Sequence, residues 1–301
     1  MSPKPAHRRS LLERLGRWNL KRLGATSSWF EVGETALHVY RFPRHPEAAA
    51  AAPPLILMHG VGSSAATFAK LVQHLRPHLG PIALPEAPAH GESQVPPELS
   101  PDALFTSLAA LFDAEEKPFI LYGNSLGGGA ALRYAIERPD KVLALVLLSP
   151  AGANAAEQEL AELIATFRFV KKGDAGRFVK RLFHRPRWYH ALAGNELARR
   201  FASPPLREFF AKVGADDLLD GSQVSALRMP ILFMWGGAEK LLPAAHLAWF
   251  KRHLPPHTRV IEPPHFGHSA YVEHSAEVAH LMLEFLAEAG LIPRPATTPQ
   301  P

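Results

Sequence analysis

Cysteine is absent from the 301-residue sequence. Its absence excludes disulfide bridges, thiolate metal sites and cysteine nucleophiles, and it fits a reducing compartment such as the cytoplasm. The sequence also lacks a His-Glu-x-x-His metal motif, and no Gly-Lys-Ser/Thr follows its glycine-rich loops. We therefore expect neither a metal ion nor a cofactor.

Long hydrophobic runs are also missing. Residues 142–148 form one of the longest runs, and it is far shorter than the roughly 18 apolar residues that a membrane span requires. Glu13, Arg14 and Arg17 interrupt the apolar stretch near the N-terminus, which argues against a secretory signal. The sequence predicts a cytoplasmic protein, and any contact that it makes with a membrane is expected to be peripheral.

The net charge of +5 is concentrated at the N-terminus. Residues 1–24 hold seven Lys or Arg against Glu13 alone, a balance of +6, so the rest of the chain sums to −1. A nucleic-acid-binding protein usually carries a basic face on its folded body, and we expect no nucleic-acid partner. Apolar residues recur at helical spacing among the arginines and predict a basic amphipathic helix over 8–23. This helix either packs on the protein body or binds weakly to an anionic membrane.

Strand-like apolar runs alternate with helical patterns along most of the chain. The expected strands are 28–32, 35–41, 55–58, 81–84, 118–122, 142–148, 231–235 and 258–261. The expected helices between and after them are 66–75, 101–114, 126–137, 243–253 and 272–289. Uninterrupted apolar strands between helices are typical of parallel strands that are buried on both faces. We predict an α/β fold with a mostly parallel, doubly wound sheet and an inserted helical cap.

The cap segment, residues 151–228, carries helical patterns and no convincing strand. Within it, residues 168–187 hold eight basic residues against Asp174, interleaved with phenylalanines. This basic face is solvated, faces a membrane, or forms the rim of an anion-attracting pocket. The predicted regions are a basic arm over 1–27, a core over 28–150 and 229–290, the cap segment, and a proline-rich tail over 291–301.

A Gly-x-Ser-x-Gly motif lies between a predicted strand and a predicted helix. It reads Gly123-Asn124-Ser125-Leu126-Gly127. In this context the chain turns so sharply that the residues two positions before and after the serine must be small, and the serine hydroxyl is lifted above the sheet. We predict that Ser125 is a nucleophile, with a glycine-rich strand–helix junction as the alternative.

A nucleophilic serine needs a base and an acid. His268 follows Gly267 after the last strand and is the predicted base, with His265 as its competitor. Glu239 follows the strand 231–235 and is the predicted acid. In folds with this serine turn, the nucleophile, the acid and the histidine occur in that order along the chain. Asp216 and Asp217 are the reserve acids.

Acyl transfer also needs two backbone donors for the oxyanion. One is the amide of Leu126, next to the nucleophile. The other is the amide of Val61 in the glycine-rich turn that follows the strand 55–58. A phosphate-binding loop is the rival interpretation of these glycines, but the lysine that it requires is missing.

Five ordered motifs resemble those of the α/β-hydrolase superfamily. They are His59-Gly60-Val61-Gly62, Pro88-Ala89-His90-Gly91-Glu92-Ser93, the motif around Ser125, Trp235-Gly236-(x)2-Glu239-(x)3-Pro243, and Gly267-His268. Glu239 stands where the family usually has Asp, Glu86 replaces another Asp, and Ala89 replaces a Gly. The serine argues against the branches that use an aspartate nucleophile.

The resemblance implies a serine hydrolase that cleaves a small-molecule carboxylic ester or another acyl substrate. His59, Arg185 and Trp188 are candidate substrate contacts. A carbon–carbon bond hydrolase of ring-cleavage products is the first alternative, although Ser269 stands where those enzymes typically have Trp after the histidine. The second is a non-catalytic ligand-binding protein on the same fold.

Overall fold

A sheet of eight strands forms the centre of the protein. The computed structural model describes residues 11–154, 157–168, 173–186 and 190–294. The strands are β1 Thr26–Val32, β2 Thr35–Phe42, β3 Leu55–Met58, β4 Ile82–Pro85, β5 Phe119–Ser125, β6 Val142–Pro150, β7 Ile231–Met234 and β8 Arg259–Ile261. Their order is β1-β2-β4-β3-β5-β6-β7-β8. Strand β2 is antiparallel to both neighbours and the pairs from β4 to β8 are parallel, which confirms the predicted sheet.

Helices connect the strands and cover the sheet. They are α1 Leu11–Arg22, α2 Ala69–Leu75, α3 Pro101–Asp113, α4 Leu126–Glu137, α5 Glu157–Thr166, α6 Asp174–Leu182, α7 His190–Phe201, α8 Pro204–Lys212, α9 Gly221–Ser225, α10 Ala244–His253, α11 Ala270–Glu273 and α12 Ser275–Glu288. Short 3₁₀ turns at Ala65–Phe68, Pro139–Lys141 and Ala215–Asp217 complete the secondary structure that the structure describes.

The sheet is apolar on both faces because successive side chains of a strand point in opposite directions. In β3, Ile56 and Met58 join a core cluster with residues of α3, α4 and α10. Leu55 and Leu57 join a second cluster with residues of α2, α12 and α1. Helices therefore cover both faces, as the doubly wound prediction requires.

The predicted elements agree closely with the observed ones. Strand β3 and helix α4 have the predicted bounds. The predicted helix 272–289 differs, because the backbone of His274 leaves helical geometry (φ −124°, ψ 41°) and separates α11 from α12. The predicted helix 66–75 begins instead as the 3₁₀ turn Ala65–Phe68.

The cap segment connects β6 to β7. Helices α5 to α9 lie in it, and its described part contains no strand. Phe167, Phe178, Phe201 and Phe209 pack into the same core cluster as α3 and α4. The boundaries of the predicted regions stay a prediction. In the described part of the chain, no helix combines the length and the apolar character needed to cross a membrane.

The strands β3, β5 and β7 are parallel, so their carboxyl ends lie on the same side of the sheet, and the loops that follow them begin there. Val61, Ser125 and Glu239 lie on or at the start of these loops. The fold therefore brings together residues that are far apart in the sequence.

Candidate active site

Ser125 ends β5 and directly precedes α4. Its backbone lies at φ 55° and ψ −122°, a region that non-glycine residues rarely occupy and that costs about 1–3 kcal/mol. A Cβ on Gly123 would lie 2.3 Å from the carbonyl oxygen of Gly127, and one on Gly127 would lie 2.6 Å from that of His59. The tight turn therefore admits only glycine at these two positions, for the reason that the sequence motif indicated.

The loop after β3 packs directly against this turn. A Cβ on Gly60 would lie 3.1 Å from the Cβ of Ser125. Val61 lines the same cavity as Ser125. Leu126 is the first residue of α4, and amides in the first turn of a helix have no partner within the helix. This end of α4 also favours negative charge through the helix dipole.

His268 and Glu239 form a buried pair. The distance from His268 Nδ1 to Glu239 Oε2 is 2.8 Å, and both side chains are about 3% exposed. The other carboxylate oxygen, Oε1, accepts hydrogen bonds from the amides of Leu241 at 2.7 Å and Leu242 at 3.2 Å. The carboxylate is thus held from both sides.

Burial alone would raise the pKa of Glu239. The charge of His268 and the hydrogen bonds from His268 and the Leu241 amide outweigh burial, and the pKa lies below the ordinary value. An ionised Glu239 accepts a hydrogen bond from Nδ1–H of His268. The lone pair of the imidazole is then on Nε2.

Asn124 links the serine turn to the histidine loop, a role that was not predicted from the sequence. Its side-chain Nδ2 donates to the carbonyl oxygens of Leu148 at 2.9 Å and His268 at 3.1 Å. The one indication in the sequence was an amide side chain directly before Ser125, at the end of an apolar strand that is expected to be buried. Asn124 is indeed buried.

The competing candidates lie in other surroundings. His265 Nε2 is 2.7 Å from Glu277 Oε2. Asp217 accepts from the amide of Gly214 within its own turn. Neither His265 nor the reserve acids Asp216 and Asp217 are among the described residues that line the cavity.

One group of side chains has the composition of a metal site. Candidate ligand atoms of His265, His274 and Glu277 lie within 4.8 Å of one another. His274 of this group also lines the cavity that contains Ser125.

Ser125, His268 and Val61 line a cavity of about 690 Å³. Its wall is largely apolar and includes Phe167, Phe178, Leu182, Phe183, Leu197 and Leu241. Arg185 lines the cavity, and its amide donates to Glu273 at 3.1 Å. Its contact with the substrate stays a prediction. Trp188 lies outside the described residues.

His59 occupies a different position from the one predicted. It is not among the described residues that line the cavity. Its Nε2 accepts from the amide of Ala87 at 3.2 Å, so Nδ1 carries the proton toward the Gly60 carbonyl oxygen at 2.9 Å. Burial lowers the pKa of His59, which keeps the ring neutral. Both ring nitrogens hold backbone in place, and a substrate contact by this ring has no support in the geometry.

A network of buried charged side chains forms hydrogen bonds to the backbone of the loop after β3. Glu86 accepts from the amide of Ala65 at 3.0 Å and from Arg17 of α1 at 2.8 Å. Arg200 of α7 donates to the carbonyl oxygens of Gly62 at 2.9 Å and Ser63 at 3.2 Å. Arg17 belongs to the predicted basic arm, but it is buried in the structure.

Comparisons with known proteins agree with this architecture. A family model described as the alpha/beta hydrolase fold matches residues 53–275. The lipase LipV of Mycobacterium tuberculosis is 39% identical over 119 residues, which are 39% of this chain and 42% of the lipase. A pimeloyl-[acyl-carrier protein] methyl ester esterase of Neisseria meningitidis is 26% identical over 246 residues, 76% of this chain and 92% of the esterase. The chain thus spans less than half of LipV and nearly all of the esterase.

Solved structures share the fold. A bacterial membrane phospholipase A has a TM-score of 0.78 and 21% identity, covering 93% of this chain and 91% of its own. The 2-hydroxy-6-oxo-6-phenylhexa-2,4-dienoate hydrolase of Rhodococcus sp. strain RHA1 has a TM-score of 0.73 and 19% identity, covering 87% and 99%. At these identities the likeness concerns the fold alone.

Proposed function

Because the chain belongs to the alpha/beta hydrolase fold family, we propose that it is a serine hydrolase that cleaves carboxylic esters through an acyl-enzyme. The observation that carries the proposal is the 2.8 Å pair of His268 and Glu239, whose histidine lines the same cavity as Ser125. The named lipase and methyl ester esterase relatives support an ester substrate.

In the proposed acylation step, Ser125 Oγ attacks the ester carbonyl carbon. His268 Nε2 takes the hydroxyl proton, and Glu239 stabilises the resulting imidazolium through Nδ1. The carbonyl oxygen becomes an oxyanion that accepts hydrogen bonds from the amides of Leu126 and Val61. The alcohol then leaves with the proton from Nε2, and Ser125 is acylated.

Deacylation repeats these proton transfers with water. His268 Nε2 takes a proton from the water, whose oxygen attacks the acyl carbon, and Ser125 Oγ leaves with that proton. The carboxylic acid and the free serine are the products. None of these reaction steps requires a metal ion or a cofactor.

The cavity indicates the kind of ester. Phenylalanine and leucine side chains form much of its wall, so burial of an apolar acyl or alcohol chain is favourable. Arg185 is an exposed cation at the rim, where it can attract an anionic headgroup without being buried with the chain. We propose a small-molecule ester with one apolar arm as the substrate, and a cytoplasmic location.

The test combines covalent labelling with turnover. We expect a fluorophosphonate probe to label Ser125, and Ser125→Ala to lose labelling and about 10⁴-fold or more in kcat on p-nitrophenyl butyrate. Ser63→Ala is the matched control, because Ser63 lines the same cavity without lying on the turn. Labelling at another serine, or an active Ser125→Ala, would refute the proposal.

The same assay separates the alternatives. A carbon–carbon bond hydrolase would turn over a ring-cleavage dienoate and leave simple esters intact. A non-catalytic ligand-binding protein would turn over neither substrate and would not react with the probe.

A further inference from the structure

Helix α1 packs on the body through a side that includes two charged residues. Glu13 and Arg17 are buried together with Leu20. Leu11, Leu15 and Trp18 are 67%, 53% and 59% exposed. An amphipathic helix on a protein surface normally turns its apolar residues inward, but α1 buries Leu20 and turns these three outward.

Buried ion pairs hold the helix in this orientation. Arg17 Nη2 is 2.6 Å from Glu13 Oε1 and 2.8 Å from Glu86 Oε1. Arg17 Nη1 donates to the Tyr40 hydroxyl at 3.1 Å, and Glu13 Oε2 is 2.5 Å from Arg200. Rotation of α1 to bury its leucines would leave these charges without partners, which is strongly unfavourable. The outward apolar face is therefore a fixed feature of the fold.

The exposed residues form one stripe. Leu11, Leu15 and Trp18 follow the spacing i, i+4, i+7, so they lie above one another on a single helix face. In the described part of the chain, the other large hydrophobic residues with comparable exposure are Val95 and Val260. Three of five such residues thus share three turns of one helix.

Positive charge surrounds the stripe. Arg14, Lys21 and Arg22 are exposed on α1, and the Arg22 guanidinium lies 5.4 Å from the centre of the Trp18 ring. The acidic residue of this helix, Glu13, is buried and paired. Basic residues beside leucine and tryptophan match an anionic lipid surface, where the apolar side chains enter the acyl boundary and the cations meet phosphates.

We propose that this face of α1 docks on an anionic phospholipid bilayer and sets the mouth of the cavity against the lipid. Leu15, Gly16 and Asn19 of α1 line the cavity that Ser125 and His268 also line. Lys70 of α2 is exposed on the same rim. A bilayer that covers the stripe therefore adjoins the opening.

The docking gives the proposed hydrolase a substrate class, and this step rests on the proposed function. An ester dissolved in the bilayer can pass from lipid to the phenylalanine-lined cavity with little exposure of its chain to water. The favoured substrates are esters with a hydrocarbon chain that partition into membranes.

Vesicle co-sedimentation of the full chain tests the docking without any turnover. Vesicles of equal parts phosphatidylcholine and phosphatidylglycerol are compared with pure phosphatidylcholine at low salt. We expect binding to the anionic vesicles only, weakened by added salt. We expect Ser125→Ala to bind the vesicles as well as the wild type does. Vesicle binding therefore tests the docking even if the proposed hydrolase activity is refuted.

Two sets of variants assign the binding to α1. Each basic residue at an anionic surface contributes about fivefold to partitioning, so Arg14→Glu, Lys21→Glu and Arg22→Glu together should weaken binding by more than about 100-fold. The matched control is Lys117→Glu, Arg228→Glu and Arg252→Glu. These exposed residues have the same charge change and precede the parallel strands β5, β7 and β8, so they lie toward the opposite end of these strands from Ser125.

The apolar contribution has its own pair. Leu11→Ser with Trp18→Ser should weaken binding by about tenfold or more, because the lost burial of two large side chains is not replaced. Val95→Ser with Val260→Ser is the control and should bind normally. Both pairs should keep the wild-type rate on p-nitrophenyl butyrate.

Three results would overturn the proposal. One is equal binding to neutral and anionic vesicles, and another is equal loss in the α1 variants and their controls. The third is a dimer in solution that Leu11→Ser with Trp18→Ser converts to a monomer, since a second copy of the chain would then cover the stripe.

Discussion

Replacement of Glu239 by Gln tests the acid of the proposed triad with almost no change in shape. Glu239 Oε1 accepts from the amides of Leu241 and Leu242, and a glutamine oxygen can keep both bonds. The amide nitrogen of the glutamine then faces His268 Nδ1, where Glu239 Oε2 lies at 2.8 Å in the native protein. Two donors cannot share this contact. His268 must therefore carry its proton on Nε2, and the nitrogen that serves as base is lost.

The size of the effect follows from this change of tautomer. In a serine protease with the same geometry, the equivalent change of an acid to its amide lowers kcat about 10⁴-fold. The amides of Leu241 and Leu242 keep the side chain in place here, so we expect a loss of about 10³–10⁴-fold in kcat. The variant also removes a buried charge whose partner can become neutral, and the fold should survive.

Stopped-flow turnover of p-nitrophenyl butyrate measures the change, with the thermal midpoint as the check on folding. Glu277→Gln is the matched control, because Glu277 pairs with the other histidine of the loop, His265, at the same kind of distance. It should retain normal turnover, as should Asp216→Asn with Asp217→Asn. A Glu239→Gln enzyme within tenfold of the wild type, or an equally inactive Glu277→Gln, would show that Glu239 does not orient the base.

Other predictions concern residues around the site. Gly127→Ala should lower the thermal midpoint by many degrees, since its Cβ would lie 2.6 Å from two carbonyl oxygens, whereas Gly176→Ala meets nothing within 4 Å and should be tolerated. Asn124→Ala leaves the carbonyls of Leu148 and His268 without their donor and should cost about 1–3 kcal/mol of stability, with kcat reduced more than KM is changed. Glu86→Gln breaks a buried ion pair and should cost about 3–5 kcal/mol in urea unfolding at pH 7, with the exposed Glu34→Gln as control. Burial alone would raise the pKa of Glu86, but His38 and Arg17 outweigh burial and hold it far below the ordinary value, so its stabilising effect is present above about pH 4.3 and is lost as the pH falls further. The difference in stability between the wild type and Glu86→Gln should therefore shrink below that pH, and a difference that stays constant would contradict the ion-pair argument.

Features set by neighbouring residues were readable in the sequence. The turn at Ser125 depends on the size of residues two positions away on each side, and both are glycines in the printed chain. The bounds of β3 and α4 follow from apolar runs and helical periodicity within short windows, and the structure has the same bounds. Parallel pairing followed from strands that are apolar without alternation, since only burial on both faces explains that pattern.

Features set by distant residues were only partly readable in the sequence. His265 and His268 are three residues apart in one loop, and the choice between them depends on which carboxylate each one meets. Arg17 was interpreted as one more charge of a basic arm. In the structure it is buried and donates a hydrogen bond to Glu86, which lies 69 positions later in the chain. The periodicity of α1 predicted a helix with an apolar side and could not tell which side faces the body.

The difference has a physical cause. Backbone sterics and side-chain periodicity act over a few residues, so the sequence determines the turn, the strands and the order of the serine, acid and histidine. Buried polar groups are stable only with a partner, and the partner is whichever residue the folded chain brings within about 3 Å. Tertiary structure therefore decided which histidine pairs with Glu239, why Asn124 is buried beside the nucleophile, and why Leu11, Leu15 and Trp18 face outward.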